Sequence, residues 1–300
     1  MGVDASTPSI NDNQLESYSQ SSKKSTVFKF NKFKKETGKN ISNEWLEWLV
    51  GLFEGDGTII SRDKGFTFFI YSVHKPTLEN IKLELGFGTI IYNWDKEKYT
   101  YLVEKRANIY LILTLLNGNL VLNHRYHQFI SVSNDFNNKP FKGKPYLNTV
   151  KICTNQVLPS LNDAWLSGFV DAEGHFGLPI ESGRKFISRY ISISFEIGQN
   201  GEKWLFIHLK ELFKGGIIFT SKTKKGDDYN RIIFKGSKLG NNPVTLVFDY
   251  FKKYPVKRKF TIYTEWRDIH KSLLSKEHLN TSKFPHLLSR CEALNDKKMT

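Results

Sequence analysis

A ten-residue segment occurs twice in this chain, and the repetition limits what the chain can fold into. Trp48-Leu-Val-Gly-Leu-Phe-Glu-Gly-Asp-Gly57 aligns without gaps with Trp165-Leu-Ser-Gly-Phe-Val-Asp-Ala-Glu-Gly174, at a constant offset of 117 residues (165 against 48, 173 against 56). Trp, Leu and two Gly positions are identical, and each acid faces an acid. Both copies read as buried helices. Gly51 and Gly55 lie four apart, as do Gly168 and Ala172. Small residues at that spacing leave a bare strip along one helix face. Two such strips let helix backbones approach closely, so the copies are expected to pack on each other about a pseudo-twofold axis.

Gly57 and Gly174 end the helices, as glycine commonly does just past a C-terminus. Asp56 and Glu173 then stand at adjacent C-terminal ends, where the helix dipole already carries partial negative charge. Each is disfavoured there, and each repels the other. A bound cation removes both penalties. Glu54 and Asp171 fall two residues earlier, on another helix face, and are expected to serve structure.

The order of elements recurs as well. Each half reads helix, two strands, helix, two strands, then helices, with Gly in the short hairpin turn Asp63-Lys64-Gly65. The fold class is therefore α+β: two pseudo-symmetric αββαββα units with antiparallel sheets and packed motif helices between them. Residues 1–40, rich in Ser, Asn and Lys, are expected to be a disordered basic arm. The first domain is placed at 41–135, a Pro- and Gly-bearing linker at 136–160 and the second domain at 161–300.

Lys and Arg number 44 against 30 Asp and Glu, a net charge of +14 with a pI near 9.5. That excess points to a polyanionic partner, nucleic acid first. No apolar run approaches the roughly 18–20 residues of a membrane-spanning helix, so no membrane partner is expected. Cys153 and Cys291 stand alone, without a disulfide framework or zinc-ligand spacing. The expected setting is intracellular.

These residues resemble the LAGLIDADG homing endonuclease family in its single-chain, two-motif form. The resemblance covers about residues 45–275. It implies sheets that form a saddle on double-stranded DNA, and Mg²⁺-dependent hydrolysis of both strands across the minor groove with short 3′ overhangs. By motif position it makes Asp56 and Glu173 the metal-binding catalytic acids, with carbonyls of Gly55 and Ala172 as further ligands. Ca²⁺ or Mn²⁺ would be substitutes in the site. The chemistry agrees, since carboxylate-held metals activate water and neutralise charge at a phosphate.

Arg125-Tyr-His-Gln-Phe129 and Lys259-Phe-Thr-Ile-Tyr263 both open a late helix with a cation. The family places a catalytic-site Lys near here, which selects Lys259. Arg125 departs from the pattern, because it neutralises charge but gives up no proton. Gln199 matches a polar active-site position of the family, and its first-half counterpart is read as Val73.

Residues 187–197 alternate. Ser188, Tyr190, Ser192, Ser194 and Glu196 are expected on an open sheet face suited to base edges in the major groove. Arg62, Lys105, Arg231 and Lys235 are read into other strands, and Lys222, Lys224 and Lys225 lie near a hairpin tip. All are expected on DNA. The partner implied is a long, non-palindromic duplex site bound by a monomer, because both half-sites are read by one chain. Family members that assist splicing make an intron-RNA maturase the second reading, and a non-cleaving DNA-binding protein the third. The family and the abundance of Lys, Asn, Ile and Phe suit an organellar gene, mitochondrial before chloroplast.

Overall fold

A computed structural model describes residues 24–95, 97–139, 149–181, 190–236 and 243–296. The N-terminal part runs β1 (Lys24–Ser25), α1 (Asn31–Thr37), α2 (Asn43–Asp56), β2 (Gly57–Arg62), β3 (Gly65–Ser72), α3 (Lys75–Leu85), β4 (Thr89–Asn93), β5 (Lys98–Val103), α4 (Arg106–Leu116) and α5 (Asn123–Asn138). After β6 (Gln156–Val157) the order recurs as α6 (Trp165–Glu173), β7 (Gly174–Gly177), β8 (Ile180–Glu181), β9 (Tyr190–Ile191), β10 (Ile193–Asn200), α7 (Lys203–Leu212), β11 (Ile217–Lys222), β12 (Asp228–Gly236), α8 (Pro243–Lys253) and α9 (Phe260–Leu274). A last helix, α10 (Phe284–Asp296), packs on α9 through buried Leu287, Cys291 and Leu294 and has no counterpart among the described residues of the first half.

Each half builds a four-stranded antiparallel sheet, ordered β2-β3-β5-β4 and β11-β12-β10-β7. Strand alternation sends one set of side chains from each sheet into the helices. In the first half these are Ile59, Phe68, Ile70, Tyr101 and Val103, all buried. In the second, Phe176, Phe195, Ile197, Ile232 and Phe234 do the same. Phe176 sits in an aromatic cluster with Phe195, Phe251, Tyr263 and Trp266, ring centroids 5.2 to 5.8 Å away. The opposite face of each sheet carries exposed side chains, among them Ile91 on the first and Phe219 and Arg231 on the second.

The motif helices α2 and α6 pack on each other as the glycine strips imply. A Cβ added at Gly51 would lie 2.0 Å from the carbonyl oxygen of Trp165, and one at Gly168 1.8 Å from that of Trp48. Only glycine permits that approach. Ser42 caps α2 by accepting the N–H of Trp45 at 3.1 Å, the usual role of serine at a helix start.

Three boundaries differ from the sequence reading. The arm assigned to residues 1–40 is structured from Lys24 on. Phe28, Phe30 and Phe33 are buried, and α1 packs on α4. Lys-rich composition hid a short helix that buries Phe33, entered through the buried Phe28 and Phe30. Residues 1–23 lie outside the described residues. The linker is shorter than assigned, because α5 runs to Asn138 and β6 pairs in parallel with β1, Lys24 opposite Gln156. Two short segments thereby hold the chain entry against the junction of the halves. The strand expected over 187–197 is in fact β9 and β10, separated at Ser192, whose N–H donates to the Pro179 carbonyl. No helix among the described residues is long and apolar enough to cross a membrane.

Candidate active site at the paired helix ends

The acids Glu54 and Asp171 are fully buried, and their bonds explain why. Glu54 accepts the indole N–H of Trp165 from the other half at 2.6 Å, and backbone N–H groups of Val121 and Leu122 at 2.9 and 2.7 Å. Asp171 mirrors it. It accepts the indole N–H of Trp48 at 2.8 Å and the N–H groups of Lys257 and Lys259 at 2.7 and 2.9 Å. Each acid thus ties the partner motif helix to the loop before its own late helix. Burial pushes the Glu54 carboxyl well up, against the pull of these donors. The expectation of a structural role for both matches this geometry.

Asp56 and Glu173 end α2 and α6 side by side. A Cβ on Gly55 would come within 3.2 Å of Cγ and 3.6 Å of Oε1 of Glu173, so the second-half acid lies over the end of the first-half helix. Burial raises the Glu173 carboxyl above its ordinary range, and the negative charge of Asp56 raises it further. The two carboxylates therefore feel each other, as their sequence positions required.

Three cations surround them. Arg125 donates from Nε to the Glu54 carbonyl at 2.9 Å and from Nη2 to the Gly55 carbonyl at 3.3 Å. The Lys259 ammonium donates to the carbonyls of Val170, Ala172 and Gly174 at 3.0, 3.2 and 2.6 Å. Both cations reach the matched carbonyl, Gly55 or Ala172, at the end of their own half's motif helix. Burial first, then the charge of Arg258, lowers the Lys259 ammonium to about 8. Arg258 crosses the interface, pairing with Asp56 at 2.5 Å and reaching the Ala172 carbonyl at 3.4 Å. The sequence reading passed over Arg258, because the run Lys257-Arg258-Lys259 gives no sign of which side chain points across.

Among the described residues no cluster of three or more His, Cys, Asp or Glu forms a metal site. Two carboxylates and the two terminal carbonyls are an all-oxygen donor set, which suits a hard divalent cation. The raised Glu173 carboxyl is the observation that favours one, since a cation between like charges relieves the repulsion.

A family model described as LAGLIDADG endonuclease matches residues 166–270. The chain is 29% identical over 245 residues to probable intron-encoded endonuclease 4 of Neurospora crassa, covering 79% of this chain and 42% of that relative. Over these residues the chain is similar to LAGLIDADG endonucleases. It is also 27% identical over 236 residues to an uncharacterized cox1 intron-2 protein of Schizosaccharomyces pombe, covering 78% of this chain and 68% of the relative. The chain thus spans less than half the length of the first of these relatives. Its fold matches the LAGLIDADG meganuclease I-CpaMI, solved bound to uncleaved DNA, with TM-score 0.63 and 18% identity over 83% of this chain and 99% of that one.

The sheet register corrects one family correspondence. Ile197 pairs with Gly174, and Ile70 pairs with Gly57. Counting two residues on from each places Gln199 opposite Ser72 in the repeat, and Val73 is displaced by one. Gln199 is half-buried near the end of β10, its amide oxygen accepting the Asn200 N–H at 3.0 Å. The Ser72 hydroxyl is buried and accepts the His74 N–H at 3.0 Å. Tyr229, also unforeseen, packs its hydroxyl over Gly198. Burial and then the charge of Glu173 raise that phenol.

The expected DNA-reading residues divide. Glu196, Arg231 and Lys235 stand on the open face of the second sheet, and Arg62 ends β2 on the open face of the first. Ser192 is half-buried between β9 and β10. Lys222 pairs with Asp228 at 2.7 Å, while Lys224 and Lys225 are exposed in the turn beyond. Two assignments change. Ser194 is only 1% exposed, covered where its Oγ would lie 2.2 Å from a Cβ on Gly177, and it bonds Glu196 at 3.3 Å. Lys105 follows β5 and caps α4 instead of lying in a strand. Ser188 lies outside the described residues, as does the side chain of Tyr190.

Proposed function

We propose that this chain is a site-specific endonuclease that hydrolyses both strands of duplex DNA with Mg²⁺. The observation that carries the reading is the pairing of Asp56 and Glu173 at one end of the α2–α6 pair, ringed by Arg125, Arg258 and Lys259. A +14 chain with two sheets open on one face supplies the surface for the polyanion.

Asp56, Glu173 and the carbonyls of Gly55 and Ala172 would hold the cation. Bound there, it would neutralise charge on the phosphate and make water a better nucleophile. Arg125 and Arg258 place guanidinium groups beside the acids. Lys259, with three carbonyl acceptors, is held as an ammonium and adds charge that can be withdrawn at high pH. One acid from each half gives each DNA strand its own carboxylate. The chain works as a monomer, both halves of the site being on it. The intron-encoded relatives support an organellar, mitochondrial setting.

The test is cleavage selection on a random or genomic duplex library with Mg²⁺. The wild type yields a defined cut site with short 3′ overhangs. Asp56→Asn and Glu173→Gln bind that site and do not cut it. A wild type without metal-dependent cleavage, or a double variant that cuts as well, overturns the reading. Intron-RNA binding without DNA cutting would replace it by the maturase reading.

A further inference from the structure

The three cations at the paired helix ends are held very differently. The Lys259 ammonium is fixed by three carbonyls, those of Val170, Ala172 and Gly174. Arg125 is fixed by the carbonyls of Glu54 and Gly55 and by the side-chain oxygen of Gln128 at 3.2 Å. Arg258 has one close bond, to Oδ2 of Asp56 at 2.5 Å, and a long one to the Ala172 carbonyl at 3.4 Å. The Arg258 side chain is 15% exposed and that of Asp56 27%, so solvent reaches the pair.

Those two acceptors, Asp56 and the Ala172 carbonyl, are among the groups that would hold the metal. The guanidinium therefore stands on oxygens that a divalent ion would use. Like charges this close repel each other, so the ion enters most readily once Arg258 has left. A DNA phosphate gives Arg258 a place to go, since guanidinium binds phosphate oxygens as a bidentate pair. Of the three cations it gives up the fewest acceptors by moving. The first half lacks the arrangement. His124 precedes Arg125 as Arg258 precedes Lys259, but its ring bonds Glu202 at 3.0 Å and not Glu173.

We propose that Arg258 is the resident counter-ion of Asp56 in the free protein and a phosphate-binding arm in the DNA complex, so that metal and duplex bind cooperatively through it. The inference rests on the metal-dependent reading above and adds that the cation site opens fully only on DNA. Arg258 acts as a positioning residue for Asp56.

The experiment is calorimetric titration with Ca²⁺ of the full chain, alone and on the duplex obtained by cleavage selection. In wild type the duplex tightens Ca²⁺ binding by about tenfold or more, and Ca²⁺ tightens duplex binding by the same factor. Arg258→Gln tightens Ca²⁺ binding to the free chain by about tenfold and lowers the effect of the duplex below about threefold. A residue that only supported the fold would weaken binding when replaced, so the direction of the change is diagnostic. Arg258→Met, which has no donor at all, repeats the test should the glutamine variant not fold. Lys257→Gln removes a charge one position away, where the ammonium lies over the Trp48 ring, and leaves both values near wild type. Free-chain binding that is unchanged or weaker in the Arg258 variants overturns the inference. An equal gain with Lys257→Gln also overturns it, by marking general charge. If wild type takes up no Ca²⁺ with or without duplex, or Asp56→Asn with Glu173→Gln takes it up as well, the metal reading itself fails, whatever Arg258 does.

Discussion

Replacing Gly168 by alanine tests whether the helix pair is what assembles the two acids. The added Cβ would lie 1.8 Å from the Trp48 carbonyl oxygen, where ordinary contact begins at 3.4 Å. Relief requires α2 and α6 to part by about 1.6 Å (3.4 less 1.8) at that crossing. Neither side can yield cheaply, because the opposing atom is helix backbone. Overpacking of this kind costs about 1–3 kcal/mol, occasionally more. The same separation would lengthen the indole bonds Trp48–Asp171 and Trp165–Glu54, now 2.8 and 2.6 Å, past bonding range. Each buried acid then loses a donor, at about 1–3 kcal/mol apiece. The expected loss is on the order of 3 kcal/mol or more.

Urea unfolding of Gly168→Ala, with Leu83→Ala as an exposed control, measures the stability. Single-turnover cleavage measures whether Asp56 and Glu173 still act together. The expected result is a large fall in stability and a cleavage loss exceeding tenfold under conditions where the variant remains folded, since about 1 Å of misplacement can cost a hundredfold. A variant within about 0.5 kcal/mol of wild type, cutting at the normal rate, would refute the close-packed interface and its role in building the site.

Three further outcomes are expected. Phe33→Ala, in the segment first read as an arm, should cost about 3–5 kcal/mol in the same unfolding assay, because Phe33 is 1% exposed; a change below 1 kcal/mol would return that segment to the arm. Lys259 has a folded pKa of about 8 against 10.5 unfolded; between those values the unfolded chain binds more protons, so stability should rise with pH across that window. Lys259→Met should flatten the rise, and cleavage at saturating metal should fall above about pH 8 in wild type only. The halves place Gln199 against Ser72 and Lys259 against Arg125, so nicking of the two strands of a supercoiled plasmid should differ in rate; equal first-strand rates for both strands would sink that asymmetry.

The repeat made the fold legible because each of its elements answers a local demand. Glycine strips need a close partner, alternating strands need a helix layer, and Trp48 and Trp165 in matched positions find matched acids. What stayed hidden depends on geometry that no period encodes. Aligning the halves by motif alone puts Val73 where Ser72 stands, because the later strands are free to slip by one residue and only the pairings to Gly57 and Gly174 fix them. Ser194 kept the correct face but lost its exposure to the neighbouring strand, where Gly177 lets its hydroxyl settle inward.

Arg258 is the deepest instance. The pseudo-twofold repeat pairs Arg125 with Lys259, which suggests one cation for each acid. Yet Arg258 leaves its own half to pair with Asp56 of the other. Second-half side chains therefore supply two of the three cations at the site, while the backbone scaffold beneath them stays matched. The sheets repeat this division in charge, with Glu196 and Arg231 inside the second open face and Arg62 and Lys98 at strand ends of the first. A scaffold duplicated in backbone but divided in charge can address a duplex whose two halves differ, which a strictly symmetric site could not distinguish.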